Sequence, residues 1–511
     1  MMFNLLLLTL SVSSYSIPSA VRPPIPILPI PTSSQLSWQL SEMSIFLHFG
    51  INTFTDSEWG TGKADPSIFN PSALDAAQWV RVAKENGFGS VILTTKHHDG
   101  FCLWPSDYTD YSVKTSPWKD GNGDIVAELA AAAKDAGVQM GLYLSPWDRH
   151  EPDFGKTLEY NEYYMGQMAE LLTRYGEVTY VFLDGAKGDD KKMEYFFQNW
   201  FARIHQLQPG AVIFSDSGPD VRWVGNEYGV AGTTCWSTFN TTAVMIGGDN
   251  DPKYAEGGDA FGLDWVPAEC DVSIRPGWFW HKHESPKTAE TLLDLYYESV
   301  GRNCHFLLNI PPNKSGLISD EDITVLQEFT QLRKSIFSNN LAKNAAISSS
   351  STRGGKGGSG SASRFSPESA LLEEISTYWA PEEKQHEWVL FLDFQEEVTF
   401  NVLQVKEPIQ MGQRVYGFHL DSLDKNGQWK QVTYGTTVGY QRLLRFPLTK
   451  ATSLRLVVTS SRADPLISYL GIYFDKVWSA KSGKSSSPPH FNGSHILHQT
   501  VYNHSTLVAS V

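Results

Sequence analysis

The chain has 511 residues, 41% hydrophobic and 19% charged, a globular composition too long for one ordinary core, so two domains are expected. A net charge of −15 with no Lys/Arg-rich block argues against nucleic acid and anionic membranes as partners. The 16 Trp tilt the balance toward a carbohydrate ligand, since aromatic rings stack on the apolar faces of sugars; large barrels and sandwiches also bury many aromatics.

In chain order, Leu5–Val12 is a short apolar stretch followed by small residues up to Ala20, the pattern of a cleaved secretory signal over 1–20, without a positive n-region. It is too short to span a bilayer. Secretion fits the sequons at Asn240, Asn313, Asn492 and Asn503. A Pro-rich lead covers 21–33, either mobile or wrapped on the surface. From 34 to 339 strands and helices alternate. Strands are predicted at Ile45–Phe49, Ser90–Thr95, Gln139–Leu144, Thr179–Asp184, Ala211–Ser215 and Cys304–Asn309. Helices are predicted at Ala73–Glu85, Ile125–Ala136 with Gly137 as its C-cap, Leu158–Arg174, Met193–His205 and Asp320–Phe337. This alternation predicts an α/β fold, a (β/α)8-like, TIM-type barrel. The stretch 217–285 reads as irregular, with long loops on the active face.

At 348–361 a Ser/Gly-rich segment reads as a flexible loop or linker. Beyond it come short β-type runs: Trp388–Phe394, Val398–Val405, Gly417–Asp421, Trp429–Thr436, Gln441–Pro447 and Ser453–Val458. They predict a C-terminal antiparallel β-sandwich over 340–478. The Ser-, Lys- and Pro-rich tail over 479–511 is expected to be disordered. The four cysteines, Cys102, Cys235, Cys270 and Cys304, contain no CxxC pair, and their pairing stays open.

Polar groups gather at strand ends: His48, then His97 and His98, then Tyr143, then Asp184. In a barrel these ends share one mouth, which is the active face. Asp184 follows an apolar run, and a carboxylate there is costly to desolvate; its rival reading is a cap on a following helix. A metal would need more ligands than this set offers, and adjacent His97 and His98 can share one only if their strand has already ended. Paired carboxylates are the alternative: a retaining glycosidase needs a nucleophile and an acid/base roughly 5 Å apart. Asp184 would be the nucleophile. Glu227, beside an aromatic residue on a loop, is the best partner, and poor solvation would raise its pKa. Glu269 and Asp216 are its rivals, with Glu269 free to pair with Arg275 instead. Trp59 or Trp278 can offer a ring face to a sugar, and Phe54, Trp278 or Phe279 an apolar patch to a deoxy-sugar methyl.

His48-Phe-Gly, Glu58-Trp59, Lys96-His-His-Asp-Gly-Phe101, Tyr143-Leu-Ser-Pro-Trp147, Phe182-Leu-Asp-Gly-Ala186 and Leu307-Leu-Asn-Ile-Pro-Pro312 occur in the order seen in glycoside hydrolase family 29, the α-L-fucosidases, and this chain resembles the plant members. Arg222-Trp-Val-Gly-Asn-Glu227 resembles the branch that prefers α-1,3/1,4 linkages. The resemblance implies a retaining exo-α-L-fucosidase acting on fucosylated oligosaccharides or glycoproteins, in the apoplast or the vacuole, with no metal or organic cofactor. It implies Asp184 as nucleophile, Glu227 as acid/base, and His48, Trp59, His97, His98, Tyr143, Arg222 and Trp278 as substrate-binding residues. The C-terminal part resembles galactose-binding-like sandwiches. The alternative is a fucose-binding, lectin-like protein that has lost catalysis.

Overall fold

A computed structural model describes residues 21–185, 192–248, 250–355 and 364–482. Eight parallel strands close a barrel: β1 (Met43–Leu47), β2 (Ser90–Lys96), β3 (Gln139–Leu144), β4 (Tyr180–Phe182), β5 (Val212–Ser215), β6 (Val221–Trp223), β7 (Ala268–Ser273) and β8 (His305–Asn309). They pair in sequence order, and β8 returns to β1. Helices Ala76–Glu85, Ile125–Ala136, Thr157–Arg174, Phe197–Leu207, Ala289–Glu298 and Asp320–Phe337 alternate with them. Asp75 and Asp124 cap two of these helices through their side chains, and Gly137 ends the second at φ +66°.

Strand alternation splits the apolar residues into two layers. Phe46, Ile92, Tyr143, Tyr180, Phe182, Val212, Phe214, Val221 and Leu307 fill the barrel interior. Their neighbours Ile45, Leu47, Val91, Leu142, Val181, Ile213, Phe306 and Leu308 face the helices. Trp38, on the helix Ser33–Leu40, joins the interior cluster and stacks on His305 with ring centroids 4.3 Å apart.

The stretch 217–285, which the sequence presents as irregular, contains β6 and β7. β6 is three residues long, and only Asp216–Asp220 separates it from β5, with no intervening helix. The α/β rhythm that reveals the other strands is broken there. A disulfide joins Cys270 on β7 to Cys304 at the start of β8, while Cys102 and Cys235 are buried free thiols.

The C-terminal part is a six-stranded antiparallel sheet: β9 (Ala345–Ser349), β10 (Trp388–Lys406), β11 (Val415–Leu423), β12 (Trp429–Gly435), β13 (Arg442–Ser461) and β14 (Tyr469–Tyr473). Two strands replace four expected ones. β10 and β13 run through, with register shifts between Asp393 and Val398 and between Phe400 and Val402 that absorb the breaks in alternation. Both ends of the long strands contribute to one apolar core with Leu390, Phe400, Phe418, Leu454 and Ile472. The Ser-rich segment begins inside β9 with Ser348 and Ser349, and Arg353 within it is buried against Glu383 and Asp464. The Pro-rich lead wraps this sheet: Ile27 N–H donates to the Met411 carbonyl at 3.0 Å, and Arg414 holds the Ile25 carbonyl at 2.7 Å. The expected signal over 1–20 and the tail beyond Ser482 lie outside the described residues.

Barrel and sheet meet through Asn303, whose side chain donates to the Cys235 carbonyl and accepts from Tyr440 N–H at 2.9 Å. Next to it Gly439 sits at φ +69°, where any Cβ would collide with the Asn303 side chain. Buried Glu407 organises the same joint, accepting from the N–H groups of Arg414 (2.8 Å), Val415 (3.0 Å) and Gly439 (2.8 Å). Burial pushes its carboxyl up to about 7 against the pull of those three donors. Glu407→Gln would turn an amide NH2 toward one of these N–H groups and strand a buried donor. Denaturant unfolding should show a loss of about 1–3 kcal/mol.

Candidate active site

At the C-terminal mouth of the barrel, the inward–outward alternation carries through to the strand ends and just beyond them. Phe46 points inward, Leu47 outward, and His48 inward again; Phe182, Leu183 and Asp184 repeat the pattern, as do Leu307, Leu308 and Asn309. β2 ends at Lys96, after a register shift against β3. That break lets the adjacent His97 and His98 turn to the same side, with ring centroids 4.1 Å apart.

Asp184 is the centre of the cluster. Tyr143 Oη donates to its Oδ2 at 3.1 Å, and His98 Nε2 lies 3.7 Å from the same oxygen. Burial first, and then the Asp184 charge, push the Tyr143 phenol well above its ordinary range, so it remains a donor. His98 Nδ1 is 2.7 Å from Ser145 Oγ, whose hydroxyl donates onward to the Trp147 carbonyl at 2.6 Å. Ser145 therefore accepts from Nδ1–H, which fixes the ring with Nε2 toward Asp184.

His48 is oriented in the same manner. Its Nδ1 donates to Asn309 Oδ1 at 2.9 Å, and Asn309 Nδ2 donates to the Trp278 carbonyl at 2.8 Å. Burial lowers the His48 pKa to about 3, and burial with the neighbouring histidines lowers that of His97 well below its ordinary value. Both are thus neutral hydrogen-bonding groups. Their ring centroids lie 5.5 Å apart, and His97 stacks with Tyr143 at 5.7 Å. The sign for stability follows from the depressed pKa values. A neutral buried His contributes stability that is fully present above 6.5 and is lost as pH falls toward 3. His305, at the closed end of the barrel, is also lowered to about 3 by burial. His305→Gln should therefore reduce the acid-side slope of unfolding free energy between pH 6 and 4 by up to about 1.4 kcal/mol per pH unit, read by denaturation at several pH values. Comparison with the parent chain cancels the opposing contributions of Asp99 and Glu407, both raised to about 7.

The rim is aromatic. Trp59 is 42% exposed, with its ring centroid 5.7 Å from that of Trp147 and 6.4 Å from that of His98. Trp278 lies 5.1 Å from His48 and Phe279 5.5 Å. Phe54 instead packs with Phe49 and Phe69 and takes no part in this cluster. Glu58 ties the two rim loops together by accepting from the N–H groups of Trp278 (2.9 Å) and Phe279 (3.3 Å), and it lies 2.6 Å from His281 Nε2.

Glu227 follows β6 and stands at the rim, where Trp278 Nε1 donates to its Oε2 at 3.4 Å. It is exposed, so the desolvation expected from the sequence is not provided by the protein alone. Of its rivals, Glu269 lies inside the barrel two residues before Asp271, roughly 7 Å deeper by the strand rise. It is fully buried and accepts from Tyr180 Oη at 2.7 Å. It does not pair with Arg275, which binds Glu321 and Asp322. Asp216 accepts from Gly247 N–H at 2.8 Å and sits behind Gly185.

Arg222 is not a pocket residue. Val221 belongs to the interior cluster and Trp223 packs against it, so the residue between them points out of the barrel. Its guanidinium is fully buried, donating to the carbonyls of Ala255 (2.9 Å), Trp236 (2.9 Å) and Val266. It pins the loops after β6 and has no route to the mouth. The residues that sequence reasoning missed are Ser145, Trp147, Asn309, Glu58 and Asp271. The first four lie in or beside the quoted motifs, and Asp271 is the next inward position after Glu269. Among the described residues no group of three His, Cys, Asp or Glu side chains is arranged to hold a metal ion.

A barrel whose mouth sets carboxylates among neutral histidines and aromatic rings is the architecture of a glycoside hydrolase. Comparison with known proteins specifies which. The α-L-fucosidase family matches residues 38–334, and the chain belongs to that family. It is 64% identical to α-L-fucosidase 1 of Arabidopsis thaliana, over 90% of each chain. The crystal structure of SpGH29 superposes with a TM-score of 0.83 at 40% identity, covering 88% of this chain and 100% of that one. A Ruminococcus gnavus GH29 fucosidase in complex with fucose superposes with a TM-score of 0.82 at 35% identity, covering 89% of this chain and 96% of that one. The protein is a glycoside hydrolase with α-L-fucosidase activity.

Proposed function

We propose that the protein is a retaining exo-α-L-fucosidase that removes terminal fucose from glycans or glycoproteins, with a preference for α-1,3/1,4 linkages. The observation that carries this reading is Asp184 at the mouth, held by Tyr143 and facing His98, with Glu227 on the rim beside Trp278. In the first step an Asp184 oxygen bonds to the anomeric carbon as the glycosidic bond breaks, and the Glu227 proton passes to the leaving oxygen. In the second, Glu227 takes a proton from water, the hydroxide bonds to the anomeric carbon, and Asp184 leaves. His48 and His97, being neutral, hold sugar hydroxyls without adding charge. Phe279 and Trp278 offer the apolar surface for a deoxy-sugar methyl. The departing sugar itself covers Glu227 and supplies the desolvation that an acid requires.

NMR of the first released product, from fucosides of α-1,2, α-1,3, α-1,4 and α-1,6 linkage, tests both retention and linkage preference. α-L-Fucose should appear before its β anomer, and faster from α-1,3 and α-1,4 substrates; β-fucose first would overturn retention. We also propose secretion, tested by whether the mature protein starts after Ala20 and carries glycan at Asn240. No observation favours the lectin-like alternative.

A further inference from the structure

One histidine at the rim has both ring nitrogens engaged by acids. His281 lies on the loop after β7, with Nδ1 2.8 Å from Asp56 Oδ1 and Nε2 2.6 Å from Glu58 Oε1. Both carboxylates belong to the loop after β1, so the ring bridges the two loops. Glu58 accepts from backbone N–H through both of its oxygens, Oε2 from Trp278 and Oε1 from Phe279, and so presents an acceptor to His281. Asp56 is exposed, and its bond to His281 holds its carboxyl below the ordinary range. A neutral imidazole has one N–H and one lone pair. It could satisfy only one of these acceptors, and its other nitrogen would set a lone pair against a carboxylate. Two acceptors on two nitrogens therefore call for the imidazolium. The bridge is tightly packed as well: a Cβ on Gly277 would lie 2.6 Å from Glu58 Oε1 and 2.9 Å from His281 Cδ2.

We propose that His281 is a positioning residue for the sugar-binding rim: its imidazolium, bonded at once to Asp56 and Glu58, holds the loop that carries Trp59 against the loop that carries Trp278 and Phe279. The proposal rests on the reading of these three rings as the surface that receives the fucosyl group. Trp59 directly follows Glu58 in the chain, and Trp278 and Phe279 hang on Glu58 through their N–H groups, so the bridge acts on the spacing of all three. Among the described residues, the titratable groups around it are Asp56 and Glu58 across the gap and Glu284 on its own loop. His283 and, from the loop after β8, Lys314 act on Asp56. Burial by itself would lower the His281 pKa; the bonds to Glu58 and Asp56, with the Glu284 charge, outweigh it and raise the pKa above the ordinary 6.5. The bridge is thus at full strength below pH 6.5 and is lost as pH rises through the raised value. By linkage, a sugar that binds better to the bridged rim must hold the proton on His281 more tightly.

The dissociation constant of L-fucose, measured by titration calorimetry at several pH values, tests this, together with NMR of protein labelled at the histidine Cε1 carbons. The His281 signal, identified by its loss in His281→Gln, should titrate above 6.5 in the free enzyme and higher still with fucose bound. His281→Gln should weaken fucose binding by about fivefold or more at pH 6, raise KM more than it changes kcat, and approach the parent as pH rises. Asp56→Asn, at an exposed position, removes one of the two charges that raise the His281 pKa. It should move the fall in fucose affinity to lower pH. A merely structural role would weaken binding by one factor at every pH and leave the His281 titration indifferent to fucose. The titrations of Asp184 and Glu227 are common to parent and variant and cancel in the ratio of their affinities. Titration of His281 at or below 6.5, a midpoint unmoved by fucose, or a parent-to-variant affinity ratio constant with pH overturns the proposal. Unchanged fucose affinity in both Trp59→Ala and Trp278→Ala would instead remove the reading of the rim itself, which separates the two failures. Should His281→Gln not fold, Asp56→Asn decides alone: a shift to lower pH supports the bridge, and an unmoved profile overturns it.

Discussion

Asp184→Gly is expected to lower kcat by on the order of 10^4-fold or more, because on the proposed mechanism the covalent intermediate forms on its carboxylate. The cavity left by the carboxylate opens on the face of the sugar opposite the leaving group. Azide should enter it, attack the anomeric carbon once and restore part of the rate. The product is then β-L-fucosyl azide, with the configuration inverted, identifiable by its anomeric coupling in the proton spectrum. Near-normal turnover in this variant, or α-fucosyl azide as the rescue product, would remove Asp184 from the nucleophile's role. Tyr143 and His98 remain in place around the gap, since both are anchored elsewhere: the ring of Tyr143 packs on Phe46 and Phe182, and Ser145 fixes His98.

Glu227→Ala is the second large effect, and its size should depend on the substrate. General acid catalysis contributes typically 10²–10⁴-fold, and that loss should fall on fucosyl-oligosaccharides, whose leaving alcohol needs a proton. Aryl fucosides with a good leaving group need little help in the first step, so their KM should fall as the intermediate accumulates. Azide again distinguishes the sites. Here it replaces water against the fucosyl-enzyme and should give the α-azide, the opposite anomer to that from Asp184→Gly. If Asp216→Ala or Glu269→Ala shows this leaving-group pattern and Glu227→Ala does not, the acid has been misassigned. Glu269 is poorly placed for the role, being deep in the barrel and bonded to Tyr180.

Much of the barrel was legible because its strands and helices announce themselves through period and caps. Ile125–Ala136, Gln139–Leu144 and Asp320–Phe337 coincide with the observed elements. β6 was not legible. Three residues carry too little pattern to distinguish a strand, and Val221-Arg222-Trp223 lacks the helix that elsewhere separates strands. The error over Arg222 has the same source. Once β6 is known, alternation sends Val221 and Trp223 inward and Arg222 outward; before that, an arginine beside the acid loop reads as a ligand contact. Glu227 illustrates a second limit. Its neighbours in sequence are aromatic, but its partner at the rim is Trp278, 51 residues further on and held by Glu58 from the loop after β1 and by Asn309 at the end of β8.

By itself the sequence determined the layered α/β plan, the second β-rich part, and the residues that end the first four strands. Those are local properties, carried by side-chain period and by the cost of placing His, Tyr or Asp beside apolar runs. Only the tertiary structure decided which of these residues meet and in what chemical state. Barrel closure brings β8 against β1, which lets Asn309 orient His48, and it sets β7 beside β6, which puts Asp271 against Trp223. Burial then leaves His48 and His97 neutral and pushes the Asp271 carboxyl above its ordinary range. Desolvation and charge proximity are sums over the whole surrounding fold, and no window of sequence contains them.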